Sequence, residues 1–301
     1  MIEFVKKIWV CGCICGFFSI YVTHLEAQGG RPPTPSGVNH AHNLLDSALS
    51  SMDRAFGEAD TEPTPADLYF LGRAVAANIL GTYRPYTGNP ELTNYLNLIC
   101  QAILVHTPEI ELFNGAYVLI LDSPELNAFA SPGGHIFITR GLLEVLNTED
   151  MLAAIIAHEL AHVKLKHCAN MIREIRFYDD MSAIAGRASG FSGNSTEARQ
   201  LMSFRDSVSS VVEALMISGF SREQEYEADM EALTLLALSG YNPRALVEVL
   251  EILRRAQNSR NVRLNATHPI PADRIANAEI LMGSRQFRDN SSLRAPRFVN
   301  R

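Results

Sequence analysis

The chain has 301 residues, of which 47% are hydrophobic and 20% are charged, and its formal net charge is −7. A chain of this length and composition can bury a large core, which excludes a disordered or collagen-like protein. The acidic balance provides no basic footprint for nucleic acid, so no nucleic-acid partner is predicted.

Residues 1–27 have the pattern of a secretory signal. Lys6 and Lys7 precede an uncharged run at 8–22, and the small residue Ala27 closes the segment. A basic start, an apolar middle and a small-residue exit are the three parts of a signal peptide. The run is shorter than the about 20 residues of a spanning helix. We expect cleaved export to the bacterial periplasm or medium. An uncleaved or lipidated form, with this segment as its membrane attachment, stays open as an alternative.

The rest of the chain is predicted to be mostly helical. A Gly/Pro linker at 28–39 precedes a domain over 40–282, and 283–301 is predicted as a flexible tail. Three short apolar segments, 116–122, 127–130 and 135–139, indicate a small antiparallel sheet. Apolar spacing and capping residues predict helices at 40–56, 65–80, 90–105, 148–168, 197–217, 221–239, 243–257 and 271–282. The fold class is therefore α+β, with the sheet beside the helix at 148–168.

Two cysteines lie outside the predicted signal, Cys100 and Cys168. They could form one disulfide in an oxidising compartment. They could equally be two separate buried thiols, and the sequence leaves both alternatives open.

The helix predicted at 148–168 carries His158, Glu159 and His162 in an HExxH pattern. Residues four apart on a helix project from the same face, and two neutral imidazoles so placed can bind one zinc ion. Glu159 can then act as the general base toward a water that the metal activates. The pattern predicts one zinc ion per chain.

A third ligand is expected from a second helix. The position six residues beyond His162 is Cys168, so the third-histidine route of the metzincins fails. The acidic segment 221–232 places Glu225 and Asp229 four residues apart on one helix face. Glu225 could ligate the metal, and Asp229 could accept a hydrogen bond from a ligating imidazole. A merely solvated acidic face is the alternative.

These motifs resemble those of the gluzincin-type zinc metalloendopeptidases that include the bacterial heat-shock protease HtpX and the CAAX prenyl proteases. The resemblance covers about residues 90–282 and includes four motifs in the same order, at 127–143, 158–167, 221–229 and 268–274. It implies a metal site of His158, His162 and Glu225, with Asp229 as the hydrogen-bond partner of a ligand.

The resemblance also implies roles for residues near the site. His268 and Arg274 would be catalytic donors to the oxyanion, although His268 could instead take the fourth zinc position and keep the enzyme quiescent. A polypeptide substrate would bind as an extended strand along the edge of the sheet, for which we expect 134–139 to be the edge strand. The predicted substrate-binding residues are Asn127, Ala128, Phe129, His135, Ile136 and Phe137.

The predicted function is zinc-dependent hydrolysis of peptide bonds in misfolded or misassembled exported proteins. After the signal the chain has no apolar run of 18 or more residues, unlike HtpX and the CAAX proteases. It is more similar to the exported branch, here without tetratricopeptide repeats, with outer-membrane or periplasmic assembly partners. A silenced zinc protein acting as a chaperone-like binding module is one alternative, and a non-proteolytic zinc hydrolase is another.

Overall fold

The computed structural model describes residues 62–171, 173, 212–213, 215, 219–257, 268, 272–283, 287 and 291–299. The signal, the linker and the helix predicted at 40–56 lie outside the described residues, as does most of the helix predicted at 197–217. The remaining predicted helices and strands can be compared with the structure.

The chain forms two compact units, residues 1–83 with 172–212 and residues 84–171 with 213–301. In the first unit, helix α1 spans Pro65–Thr82. Thr64 and Asp67 form a capping box, in which each side chain accepts a hydrogen bond from the other's backbone N–H. The second unit contains the helices and strands described below. The domain predicted over 40–282 includes parts of both units and stays a prediction.

The second unit begins with a helix that packs on a sheet. Helix α2 spans Pro90–Val105, where the sequence predicts it, because Asn89 caps its first turn. The strands are β1 (Tyr117–Leu121), β2 (Ala128–Ser131) and β3 (His135–Thr139). Asn97 ties α2 to β1, since its amide donates to the Val118 carbonyl at 2.8 Å and accepts from the Val118 N–H at 2.9 Å.

The sheet is mixed, so the prediction of an antiparallel sheet is wrong. β3 lies between the other two strands, parallel to β1 and antiparallel to β2. Apolar alternation predicts that a strand exists but does not predict its neighbours, and here β3 inserts between two strands that precede it in the chain. A turn of Pro132–Gly134 joins β2 to β3. Its residues Gly133 and Gly134 have φ values of 72° and 91°, which favour glycine.

The centre of the second unit is a buried helix. A short helix, α3 (Arg140–Val145), leads to α4 (Glu149–Lys164), which begins at Thr148, whose hydroxyl accepts from the Met151 N–H. All residues of α4 up to His162 are buried. The helix ends four residues before the predicted Cys168. Helices α5 (Arg222–Leu238) and α6 (Arg244–Gln257) pack on it, and α7 (Ala272–Met282) packs on α5 and α6. All three lie close to their predicted bounds.

Part of the predicted flexible tail is helical. Helix α8 spans Ser291–Val299, and its Arg294 is only 8% exposed. The Arg294 guanidinium pairs with the Asp150 carboxylate in the first turn of α4, at 2.6 Å, and lies 5.0 Å from the centre of the Tyr241 ring. The sequence contains no local signal for this long-range pair. The flexible tail expected over 283–301 stays a prediction, with 291–299 helical within it.

The cysteines are separate. Cys100 and Cys168 are both buried free thiols, which decides against the disulfide. Burial raises the pKa of Cys100 to about 12 and also raises the pKa of Cys168, so both are poor nucleophiles.

Within the described part of the chain, no helix combines the length and apolar character needed to cross a membrane.

Candidate metal centre

Three helices bring the predicted metal-site residues together. His158, Glu159 and His162 come from α4, and Glu225 and Asp229 come from α5. His268 precedes α7, which contributes Arg274. One nitrogen or oxygen atom from each of His158, His162, Glu225 and His268 lies within 4.8 Å of the others. The structure therefore assembles four potential metal donors, three of them buried and His268 partly buried, which are defined here as the donor group.

The spacing within the donor group suits a tetrahedral ion. His158 Nε2 lies 3.1 Å from His162 Nε2 and 3.6 Å from Glu225 Oε2, and His162 Nε2 lies 3.5 Å from Glu225 Oε1. Zinc bonds of about 2.0–2.1 Å in tetrahedral geometry place neighbouring ligand atoms about 3.3 Å apart. The two histidines and the glutamate are therefore close enough together to be ligands of one zinc ion.

His268 joins the same group. Its Nδ1 lies 2.7 Å from Glu225 Oε1 and 3.4 Å from His158 Nε2, while its Nε2 lies 3.6 Å from Glu159 Oε1. One ring nitrogen therefore faces the donor group and the other faces the predicted general base.

Glu159 is the group best placed to handle a proton. Its side chain is buried, and its Oε2 has no hydrogen-bond partner among the described residues; the same holds for His268 Nε2. Burial raises the pKa of Glu159, against the opposing effect of the nearby His268 and His158 side chains. An unmet buried acceptor beside a set of metal donors can bind and deprotonate a water molecule.

Arg274 holds the two carboxylates of α5. Its Nε and Nη2 donate to Asp229 at 2.7 and 2.6 Å, and its Nη1 lies 2.5 Å from Glu225 Oε2. Asp229 Oδ1 in turn lies 3.1 Å from Nδ1 of His158, the nitrogen that faces away from the donor group. The Arg274 side chain is 2% exposed and directed at these carboxylates, and the oxyanion role that the resemblance implies for it stays a prediction.

The charges of the site are set by burial and by these pairs. Burial lowers the pKa of His158, but the carboxylates of Asp229 and Glu225 outweigh it and raise that pKa to about 9. Burial favours protonated carboxyls, yet His268 and Arg274 hold the pKa of Glu225 well below its usual value, and Arg274 lowers that of Asp229. Burial lowers the pKa of His162. Metal binding must therefore release the His158 proton.

Two further side chains contact His162. His167 Nδ1 lies 2.9 Å from His162 Nδ1, and the Phe220 ring stacks on His162 with centroids 4.0 Å apart and planes 18° apart. The sequence marks His167 only as part of the resemblance, and it has no signal for Phe220, because a lone aromatic before a helix is common.

The predicted substrate-binding residues fall on two strands of different character. His135, Ile136 and Phe137 lie on β3, whose backbone is paired on both sides, so they cannot pair with an added strand. The expectation that 134–139 is the edge is therefore wrong. Ala128 and Phe129 lie on β2, which follows Asn127 and pairs only with β3 among the described strands. Helix α4, which carries His158 and His162, packs on this outer strand.

Histidine and glutamate donors from two helices, with a buried glutamate next to the first histidine, are the residue types that zinc-dependent hydrolases use. Residues 97–281 match the family model of peptidase family M48, and the chain belongs to this family. The match covers α2 to α7, which includes every residue of the donor group.

Curated relatives of the chain are named as proteases or metalloproteases. The chain is 25% identical over 196 residues to the beta-barrel assembly-enhancing protease of Escherichia coli (strain K12), covering 64% of this chain and 39% of that protein. It is 30% identical over 175 residues to the mitochondrial metalloendopeptidase OMA1 of Schizosaccharomyces pombe, covering 58% and 48%. It is 29% identical over 150 residues to the metalloprotease LoiP of Escherichia coli (strain K12), covering 50% and 56%. The chain spans about half the length of these curated relatives.

Proposed function

We propose that the protein is a zinc metalloendopeptidase that hydrolyses peptide bonds of misfolded or misassembled exported proteins. The observation that carries the proposal is the donor group with Glu159 beside it. Its histidine and carboxylate ligands match those of zinc hydrolases. Membership of peptidase family M48 supports the reaction type.

His158, His162 and Glu225 would hold one zinc ion per chain. When bound, zinc lowers the pKa of a water molecule toward about 7 and polarises the scissile carbonyl. Glu159 takes the proton from the attacking water and passes it to the leaving amine. Asp229 orients His158 through its Nδ1, and Arg274 holds Asp229 and Glu225 in place. His268 Nε2 is the remaining buried donor beside Glu159, and it could stabilise the oxyanion.

The proposed substrate class is inferred from β2, the outer strand on which α4 packs. A polypeptide added to the outer side of β2 would be bound through its backbone, with little selection among side chains. Such recognition suits unfolded segments. The signal pattern at 1–27 supports action in the periplasm or outside the cell. The name of the beta-barrel assembly-enhancing proteases supports assembly partners at the outer membrane.

Removal of the metal tests the proposal. We expect the purified full chain to contain one zinc ion and to cleave unfolded casein. A chelator should abolish cleavage, because Glu159 alone cannot deprotonate a water molecule whose pKa is near 15.7. Added zinc should restore it. Zinc content by atomic emission and cleavage by a fluorescent casein assay are the two measurements.

The same assay separates the alternatives. Absence of zinc from the folded chain would contradict the proposal at its base. Zinc binding without cleavage of any unfolded protein would favour a non-proteolytic hydrolase or a silenced protein.

A second candidate is a latent zinc protein that acts as a binding module. The position of His268 favours it, because His268 Nδ1 in the donor group would complete four protein ligands and leave no place for water. In this candidate, His268→Ala keeps zinc on three ligands and raises casein turnover above that of the wild type. A fall in kcat of about 100-fold or more would instead indicate that His268 stabilises the transition state.

A further inference from the structure

The end of helix α4 places His167 against His162. On a continuing helix, the residue five positions on is rotated by about 140° around the axis and points to another face. Here α4 ends at Lys164, and Lys166 adopts φ 57°, a left-handed conformation that non-glycine residues rarely take. The chain turns back at this residue, and His167, which is 3% exposed, lies beside the metal-site residue His162.

A chain of contacts runs from the donor group to the surface. His162 faces Glu225 and His158 with Nε2 and presents Nδ1 to His167 Nδ1 at 2.9 Å. The other nitrogen of His167, Nε2, lies 3.1 Å from Glu227 Oε2, and the Glu227 side chain is 58% exposed. His167 contacts His162 at Nδ1, the nitrogen that faces away from the donor group. His167 does not belong to the donor group.

The positions of the protons on His162 and His167 follow from counting the N–H groups of each imidazole ring. A neutral imidazole carries one N–H, and a metal ligand must offer the other nitrogen. With Nε2 as the ligand, His162 keeps its proton on Nδ1 and donates it to His167 Nδ1. His167 then carries its own proton on Nε2 and donates it to the Glu227 carboxylate.

We propose that His167 and Glu227 are positioning residues that fix the tautomer and orientation of the ligand His162. The inference rests on the proposed function, in which His162 holds zinc. Asp229 contacts the ligand His158 directly. Glu227 is linked to the ligand His162 through the imidazole of His167. Phe220, stacked on the His162 ring, holds its plane. Partners of this kind raise metal affinity by keeping the ligating nitrogen unprotonated and aimed.

The test is the zinc dissociation constant of the full chain, measured by competition with a chromophoric chelator. We expect Glu227→Ala to weaken zinc binding about tenfold and His167→Leu by up to about 100-fold. The matched control is Glu223→Ala, which removes an exposed carboxylate from the same helix and should leave the dissociation constant unchanged. Equal zinc affinity of the wild type, Glu227→Ala and His167→Leu would overturn the proposal.

A second variant separates a relay from a merely structural role. In His167→Asn, the side-chain oxygen can still accept from His162, but the shorter residue cannot reach Glu227. We expect it to weaken zinc binding as much as Glu227→Ala does, with no further loss in the double variant. Additive losses, or losses that appear only in the stability of the zinc-free protein, would overturn the relay. No zinc binding by the wild type would overturn the proposed function and the relay together. Tight wild-type binding with unaffected variants would overturn the relay alone.

Discussion

Replacing Glu159 with glutamine is expected to lower kcat for peptide cleavage by about 10²–10⁴-fold while the zinc content stays the same. Glutamine keeps the shape of the side chain but cannot accept a proton. The zinc content is expected to hold because none of His158, His162 and Glu225 is altered. Burial also raises the pKa of Glu159, which brings a carboxylate closer to the pH at which it exchanges protons efficiently.

The measurement is steady-state cleavage of unfolded casein together with zinc content on the same preparation. Glu223→Gln, an exposed carboxylate at the start of α5, is the matched control and should keep both values. Zinc-loaded Glu159→Gln with wild-type turnover would show that another group is the base. If this variant also kept the cellular activity of the wild type, the binding-module candidate would be favoured.

Replacing Arg274 with methionine is expected to cost about 3–5 kcal/mol in the free energy of unfolding. The guanidinium pairs with two carboxylates, Glu225 and Asp229, which are buried at 0% and 3% exposure. Methionine preserves most of the apolar volume and leaves both charges without their cation. Zinc affinity should fall as well, because Arg274 orients one proposed ligand and the partner of another.

Urea unfolding of the zinc-free chain measures this cost. Arg255→Met, which removes an arginine with 70% of its side chain exposed, should change the stability by less than about 0.5 kcal/mol. The pH dependence supplies a further check. Because the pKa values of Glu225 and Asp229 are lowered, the stabilisation is present above their unfolded values of about 4 and is lost as the pH falls through the folded values. A gap between variant and wild type that persists unchanged in acid would contradict this explanation.

Features that depend on neighbouring residues can be predicted from the sequence alone. The spacing of His158 and His162 places both imidazoles on one helix face wherever that helix packs. Thr148, Asn89 and Ser221 cap helices at the predicted positions, because each side chain accepts a hydrogen bond from a backbone N–H three residues on. The three strands were found for the same reason, since a short apolar run next to turn residues is a local signal.

Contacts between residues that are distant in the sequence are apparent only from the folded chain. No local period in the sequence encodes the placement of β3 between β1 and β2, the position of His268 in the donor group or the pairing of Arg294 with Asp150. The direction of the Arg274 guanidinium toward Glu225 and Asp229 is of the same kind. The physical reason is that helix and strand periods specify which face of an element is buried. The residues that contact that face depend on the packing of the whole core, in which buried charged groups must be paired.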